Sequence, residues 1–311
     1  MVDQVKLNVK IGITPTCWRN ADFEEIGKSI KPQQIVKEIK EAGYLGCSLA
    51  PYFPGNKAKL DELLGQNLVI TEPWVGTLFT QDGGLKKTID EFRKNLEFWK
   101  QMGVRRIGAA EMGGAVHLRE IGINKRPKFS AGQWDSLITG LNTLGAEATE
   151  RGIQLCYHPH MGTGVQTQQE MDRVMCATNA KDVHLLLDTG HLTWAGGDPV
   201  EAVRRHGQRI KHVHLKNVRK TVLENKALDP AKTSFQTYIK EGIFTVPGDG
   251  EGVVPFDAFL KELEAIKYNG DWLVVEAEQD PDRLNKFNKT PKWYADKARK
   301  FLSTRLEKAE V

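Results

Sequence analysis

Eight short apolar runs, each followed by a segment of helical periodicity, recur along the 311-residue chain, and this alternation limits the fold more than any other feature. The runs are Ile11–Pro15, Leu45–Leu49, Leu68–Thr71, Arg105–Ala109, Ile153–Tyr157, Val183–Leu187, Ile210–Leu215 and Trp272–Glu276. Strands covered by helices on their outer face read as such runs rather than as polar-apolar alternation. Between them, Ile35/Ile39/Ala42, Phe92/Leu96/Trp99 and Trp134/Leu137/Ile138/Leu141/Leu144/Ala148 fall on single helical faces. Ser130 with Gln133 reads as a capping box, and Asp198-Pro199 as an N-cap and first helical residue. Strands that alternate with helices pair in parallel, and eight of them predict a closed TIM (β/α)8 barrel, one domain over residues 1–311. A doubly wound open sheet is the structural alternative.

In such a barrel every C-terminal strand end lies on one rim, and the loops there build the active site. The strand ends of this chain gather Glu72, Glu111, His158, His160, Asp188, His191, His214 and Glu276. The richest end is Tyr157-His158-Pro159-His160-Met161-Gly162-Thr163-Gly164, where an apolar run delivers two imidazoles and then a flexible polar loop. Imidazoles and carboxylates together suit a divalent transition metal, and manganese, cobalt and zinc all fit that mixture. Residues two apart on a strand share a face and differ in depth. In His212-Val213-His214, His214 is therefore the expected ligand, with His212 a hydrogen-bonded residue deeper in the barrel. By the same depth rule Glu276 ligates, and Glu278, further out, faces substrate or supports a ligand.

Trp18-Arg19-Asn20 follows the first strand with an aromatic face and a fixed charge, suited to gripping a polar substrate; Trp74, Lys216 and Arg219 are further candidates for substrate contact. The stretch from Glu111 to Phe129 and the connection over 217–252 have no evident periodicity, and loops of that length tend to be functional. The second is expected to act as a lid, and a closing helix is expected over 291–309. Lys plus Arg number 44 against 40 Asp plus Glu, interspersed, for a net +4, which offers no phosphate-tracking surface for nucleic acid. Cys17, Cys47, Cys156 and Cys176 form no Cys-x-x-Cys pair. With no apolar run of signal-peptide or membrane-spanning character, they point to a cytoplasmic protein without a membrane partner.

Asp188-Thr189-Gly190-His191, His212-Val213-His214 and Gly248-Asp249-Gly250 resemble the xylose isomerase-like superfamily of metal-dependent sugar isomerase and epimerase barrels. More narrowly, Trp18–Asn20, Tyr157–Gly164, Phe244–Gly250 and Val274–Pro281 resemble the inosose dehydratases, and the likeness covers nearly the whole chain. The resemblance implies a hydro-lyase of inositol catabolism that removes water from 2-keto-myo-inositol (scyllo-inosose) to give a trihydroxycyclohexane-1,2-dione. Its implied cofactor is manganese or cobalt, with zinc or magnesium as alternatives, held by His158, Asp188, His214 and Glu276. His160 or His191 is then the general acid, and Glu276 the base with Glu111 and Glu278 as competitors.

One departure is informative. Epimerases of the wider superfamily place a glutamate where this chain has His158, and epimerisation is well served by two opposed carboxylates, so the substitution argues against an epimerase. A ketose isomerase or epimerase, and a non-catalytic sugar-binding barrel, are the alternative readings. The expected partner is a small cyclic polyol ketone, with a homo-oligomer an open possibility.

Overall fold

The computed structural model describes residues 4–307. Its main sheet is parallel and contains β1 (Lys10–Ile13), β2 (Gly46–Cys47), β3 (Val69–Ile70), β4 (Trp74–Thr77), β5 (Arg106–Glu111), β6 (Gln154–Tyr157), β7 (Val183–Asp188) and β8 (Ile210–Leu215). A separate antiparallel ribbon of β9 (Asn217–Val218) and β10 (Phe244–Thr245) follows, and β11 (Trp272–Val275) completes the main sheet. The order of that sheet is β3-β2-β1-β11-β8-β7-β6-β5-β4.

The two ends of this order are neighbours in the chain, separated only by Thr71-Glu72-Pro73. They are two halves of one stave, the first paired with β2 and the second with β5. Leu49 N donates to Glu72 O at 2.9 Å and Gly108 N to Pro73 O at 3.0 Å, so hydrogen bonding continues across the break. The sheet thus closes into eight staves, as the eightfold alternation requires, and the open sheet is excluded. Pro73 has no N–H to give a ladder, which is why the pairing changes partner there. Sequence reading ended the third strand at Thr71 and missed β4, because four residues directly after a proline carry too little periodicity to register.

Helices cover the outside of the barrel. The longest, Ala131–Thr149, starts at Ser130 with both bonds of the expected capping box and buries Leu137, Leu141, Leu144 and Ala148 completely. It lies against β6 and β7; each fully buried leucine contributes on the order of 1.5–3 kcal/mol. The 217–252 connection has structure of its own: besides β9 and β10 it holds helices Lys220–Leu223 and Phe235–Glu241. The closing helix runs Pro291–Ser303, shorter than expected, and residues 308–309 of the expected range lie outside the described residues. Among the described residues no helix is long and apolar enough to cross a membrane.

Candidate active site

The C-terminal rim surrounds a cavity of about 550 Å³. Period-two alternation sends its polar lining inward from few staves: Glu72 and Trp74 from the broken one, His158 and His160 just past β6, His214 on β8 and Lys216 just past it, and Glu276 and Glu278 just past β11. Asp188 closes β7 and N-caps the helix Thr189–Trp194, which brings in His191.

Asp188 divides its carboxylate between two tasks. Oδ1 accepts from the backbone N–H groups of Gly190 and His191, each at 2.8 Å. Oδ2 is buried and accepts no hydrogen bond. It faces His158 Nε2 at 3.6 Å, His214 Nδ1 at 3.8 Å and Lys216 Nζ at 3.5 Å. One ligand atom from each of His158, Asp188 and His214 can be chosen so that all lie within 4.8 Å of one another. The other nitrogen of His214 is spoken for, since Nε2 lies 3.2 Å from Glu72 Oε1. A carboxylate accepts, so His214 carries its proton on Nε2 and turns the Nδ1 lone pair toward Asp188, the carboxylate–histidine arrangement that orients a metal ligand. Glu72 also accepts from His212 Nε2 at 3.0 Å and from Ser48 Oγ. Burial alone would raise its pKa, yet His212 and His214 hold the carboxyl well below its usual range.

A buried carboxylate oxygen that accepts no hydrogen bond, with the Lys216 ammonium no nearer than 3.5 Å, is costly unless a cation at closer range completes it. Burial pushes the pKa of His158 down, favouring the neutral imidazole that ligates metals. For Asp188 burial acts the other way, and Lys216, His191 and His158 overcome it, holding the carboxyl ionised. Two imidazole nitrogens and a carboxylate oxygen form a donor set that fits a divalent transition metal; Glu276, the fourth expected ligand, lines the same cavity outside that cluster and is ion-paired with Lys216.

Lys216 is the central cation. Although it is 1% exposed, its ammonium donates to Glu278 Oε2 at 2.6 Å and to His191 Nε2 at 2.8 Å, and forms an ion pair with Glu276. It also lies 4.3 Å from the centre of the Phe244 ring. Its stem reaches this place because residue 190 is glycine: a Cβ there would stand 2.4 Å from Lys216 Cγ. His160 packs against His191 with ring centres 3.9 Å apart and planes tilted by 41°, and donates from Nδ1 to Met161 O at 2.7 Å, leaving Nε2 as an acceptor. Phe244, from β10, meets the His191 ring edge-on at 5.0 Å. Trp74, 41% exposed, meets His158 edge-on at 5.3 Å and forms an apolar wall of the cavity.

Residues 11–303 match the family described as the xylose isomerase-like TIM barrel. The chain is 40% identical over 297 residues to the inosose dehydratase of Geobacillus thermodenitrificans, covering 94% of this chain and 96% of that one. It is 37% identical over 305 residues to that of Lacticaseibacillus casei, covering 97% and 98%. The chain belongs to the inosose dehydratase family. Among solved structures, the zinc-bound IOLI protein superposes with a TM-score of 0.70 at 16% identity, covering 96% of this chain and 100% of that one. The probable 3-DHS dehydratase AsbF of Bacillus anthracis gives 0.64 at 17% identity, covering 95% and 99%. At these identities the structures speak for the fold.

Several residues expected at the site of this inosose dehydratase family member stand elsewhere. Glu111, expected as a competing base, is fully buried outside the cavity lining. Its carboxylate accepts from Thr77 Oγ1, Phe79 N, Thr80 N, Thr80 Oγ1 and Gly113 N at 2.7–3.2 Å, which leaves no free lone pair aimed at a substrate. It is a structural anchor for the turn after β4. Trp18 is fully buried, and its Nε1 donates to Glu38 at 2.6 Å. Arg19 lies over the Tyr52 ring at 4.4 Å, and Asn20 accepts from the N–H groups of Asp22 and Phe23. From this first loop, Thr14, Pro15 and Thr16 line the cavity instead.

Arg219 also points away from the cavity. Its guanidinium donates to Glu251, Gly242 O, Phe244 O, Thr245 Oγ1 and Tyr294 OH, pinning the 217–252 segment to the barrel. Arg219→Met is expected to lower thermal stability by about 3–5 kcal/mol through the buried acceptors it abandons. Calorimetric melting checks this, and an unchanged Tm would contradict the anchoring role.

Proposed function

We propose that this chain is a metal-dependent dehydratase that removes water from 2-keto-myo-inositol, with manganese or cobalt held by His158, Asp188, His214 and Glu276. The observation that carries the reading is the buried Asp188 Oδ2, which faces His158 and His214 and accepts no hydrogen bond, beside a cavity whose lining includes Glu72, His160, His191, Lys216, Glu276 and Glu278. When bound, the cation supplies Lewis-acid polarisation of a ketone oxygen and stabilises the negative charge that develops there.

The chain's own groups handle the protons. Glu276, whose Oε2 takes no hydrogen bond and faces the Lys216 ammonium, removes the proton from the carbon next to the ketone. Lys216, which lines the cavity and is held by His191 Nε2, gives its own proton to the departing β-hydroxyl, which leaves as water; His191 Nδ1 is turned to the Met161 N–H and the imidazole orients the ammonium. The C–H and C–O bonds break, Glu276 gains one proton, Lys216 loses one, and exchange between the paired Glu276 and Lys216 resets both. This assigns the acid to Lys216, and leaves His160 to accept a substrate hydroxyl at Nε2. The 217–252 segment serves as a lid through Phe244, and the enzyme acts in the cytoplasm.

An isomerase or epimerase on the same barrel is disfavoured by His158 in place of a second opposed carboxylate. Product analysis decides between them: incubation with 2-keto-myo-inositol is expected to give a product lighter by one water and absorbing as a dione. A mass-neutral conversion would overturn the lyase reading.

A further inference from the structure

The opposite mouth of the barrel carries a second polar cavity of about 400 Å³. Arg105, Arg106, Lys181 and Lys211 line it, and Asp271 is the one carboxylate among the lining residues. Arg106, Lys211 and the neighbouring His184 sit at the N-terminal ends of β5, β8 and β7.

The single carboxylate is already engaged. Arg106, with its side chain 5% exposed, forms an ion pair with Asp271, and Arg105 shares the same oxygen at 3.4 Å. Arg106 Nε donates to Lys211 O at 3.1 Å, which fixes the guanidinium at the cavity wall. Lys211 Nζ donates to Asn269 Oδ1, a neutral acceptor, at 2.8 Å, and among the described residues neither Lys211 nor Lys181 has an ion-pair partner. His184, 6% exposed, keeps Nδ1 buried without a hydrogen-bond partner. Burial, with Lys211, Arg209 and Arg106 adding to it and Asp182 opposing, pushes this imidazole down to about 4, so it stands neutral among the cations.

Four cations gathered around one hollow repel one another unless an anion enters. Arginine forks and lysine ammonium groups are the side chains that hold tetrahedral oxyanions. We propose that this N-terminal mouth binds a phosphate group, either inorganic phosphate or the phosphomonoester of a small metabolite, with Lys211, Lys181 and Arg105 contacting its oxygens and Arg106 and His184 forming the floor. The site is separate from the metal-binding rim and makes no demand on it.

Titration calorimetry on the metal-loaded protein, at constant ionic strength, tests this with inorganic phosphate and with glucose 6-phosphate. One phosphate per chain is expected, unaffected by saturating 2-keto-myo-inositol. Lys211→Met, and separately the exposed pair Arg105→Ala with Lys181→Ala, are each expected to weaken binding at least about tenfold, ~1.4 kcal/mol. The second variant alters only surface side chains, keeps the fold, and leaves dehydration unchanged. Tighter binding of glucose 6-phosphate marks a phosphomonoester as the ligand; equal or weaker binding marks free phosphate. No binding of either probe, binding indifferent to both variants, or displacement by the substrate would overturn the proposal.

Discussion

Asp188→Asn is expected to release the metal and lower kcat/KM for dehydration by about a thousandfold or more, ~4 kcal/mol of lost transition-state stabilisation. The substitution is nearly isosteric. An amide oxygen still caps Gly190 and His191, so the helix Thr189–Trp194 keeps its start. What changes is the other atom: an acceptor facing His158 Nε2 and His214 Nδ1 becomes an uncharged amide nitrogen, which does not ligate. Elemental analysis beside steady-state kinetics reads both effects. A variant that keeps its metal and its rate would remove Asp188 from the ligand set.

Lys216→Met is expected to leave the metal in place while lowering kcat by about a hundred- to ten-thousandfold, the usual span for a lost proton-transfer group. Methionine fills the channel beside Gly190, where the lysine stem now lies, so the packing survives. The ammonium that donates to His191 and Glu278 and pairs with Glu276 is gone, and the proton donor for the leaving hydroxyl goes with it. Removing one member of a buried charged cluster also destabilises by about 3–5 kcal/mol, so a lower Tm is expected alongside. Kinetics on metal-replete protein, with melting measured in parallel, separates the two losses. Wild-type kcat in a folded, metal-replete variant would end the assignment of Lys216 as the acid.

The staves and most helices were legible because burial writes itself into periodicity. Leu137, Leu141, Leu144 and Ala148 follow the helical period and are buried in the helix it predicts. The rim was legible to the extent that strand ends could be placed: of the residues expected there, His158, His160, His191, His214, Glu276 and Glu278 line one cavity, and Asp188 faces His158 and His214. Two inward positions were undervalued although alternation pointed to them. Lys216 continues the row His212, His214 by two residues, and Glu72 precedes Trp74 by two on the broken stave. Reading each row through to its end would have placed the ammonium at the centre and Glu72 behind His214. Trp18, Arg219 and Glu111 show the opposite failure. Their chemistry suits a substrate, but long-range partners such as Glu38, Glu251 and the 77–80 turn claim them, and nothing local in the chain announces a partner tens of residues away. Phe244 covers His191 from the 217–252 segment for the same reason unseen: its position depends on the β9–β10 pairing.

The most direct measurement of the central claim is turnover of 2-keto-myo-inositol by chelator-stripped protein before and after manganese or cobalt is returned, with bound metal quantified throughout. Turnover is expected to vanish on stripping and to return in proportion to bound metal up to one ion per chain. Full dehydration by protein carrying no divalent metal would contradict it.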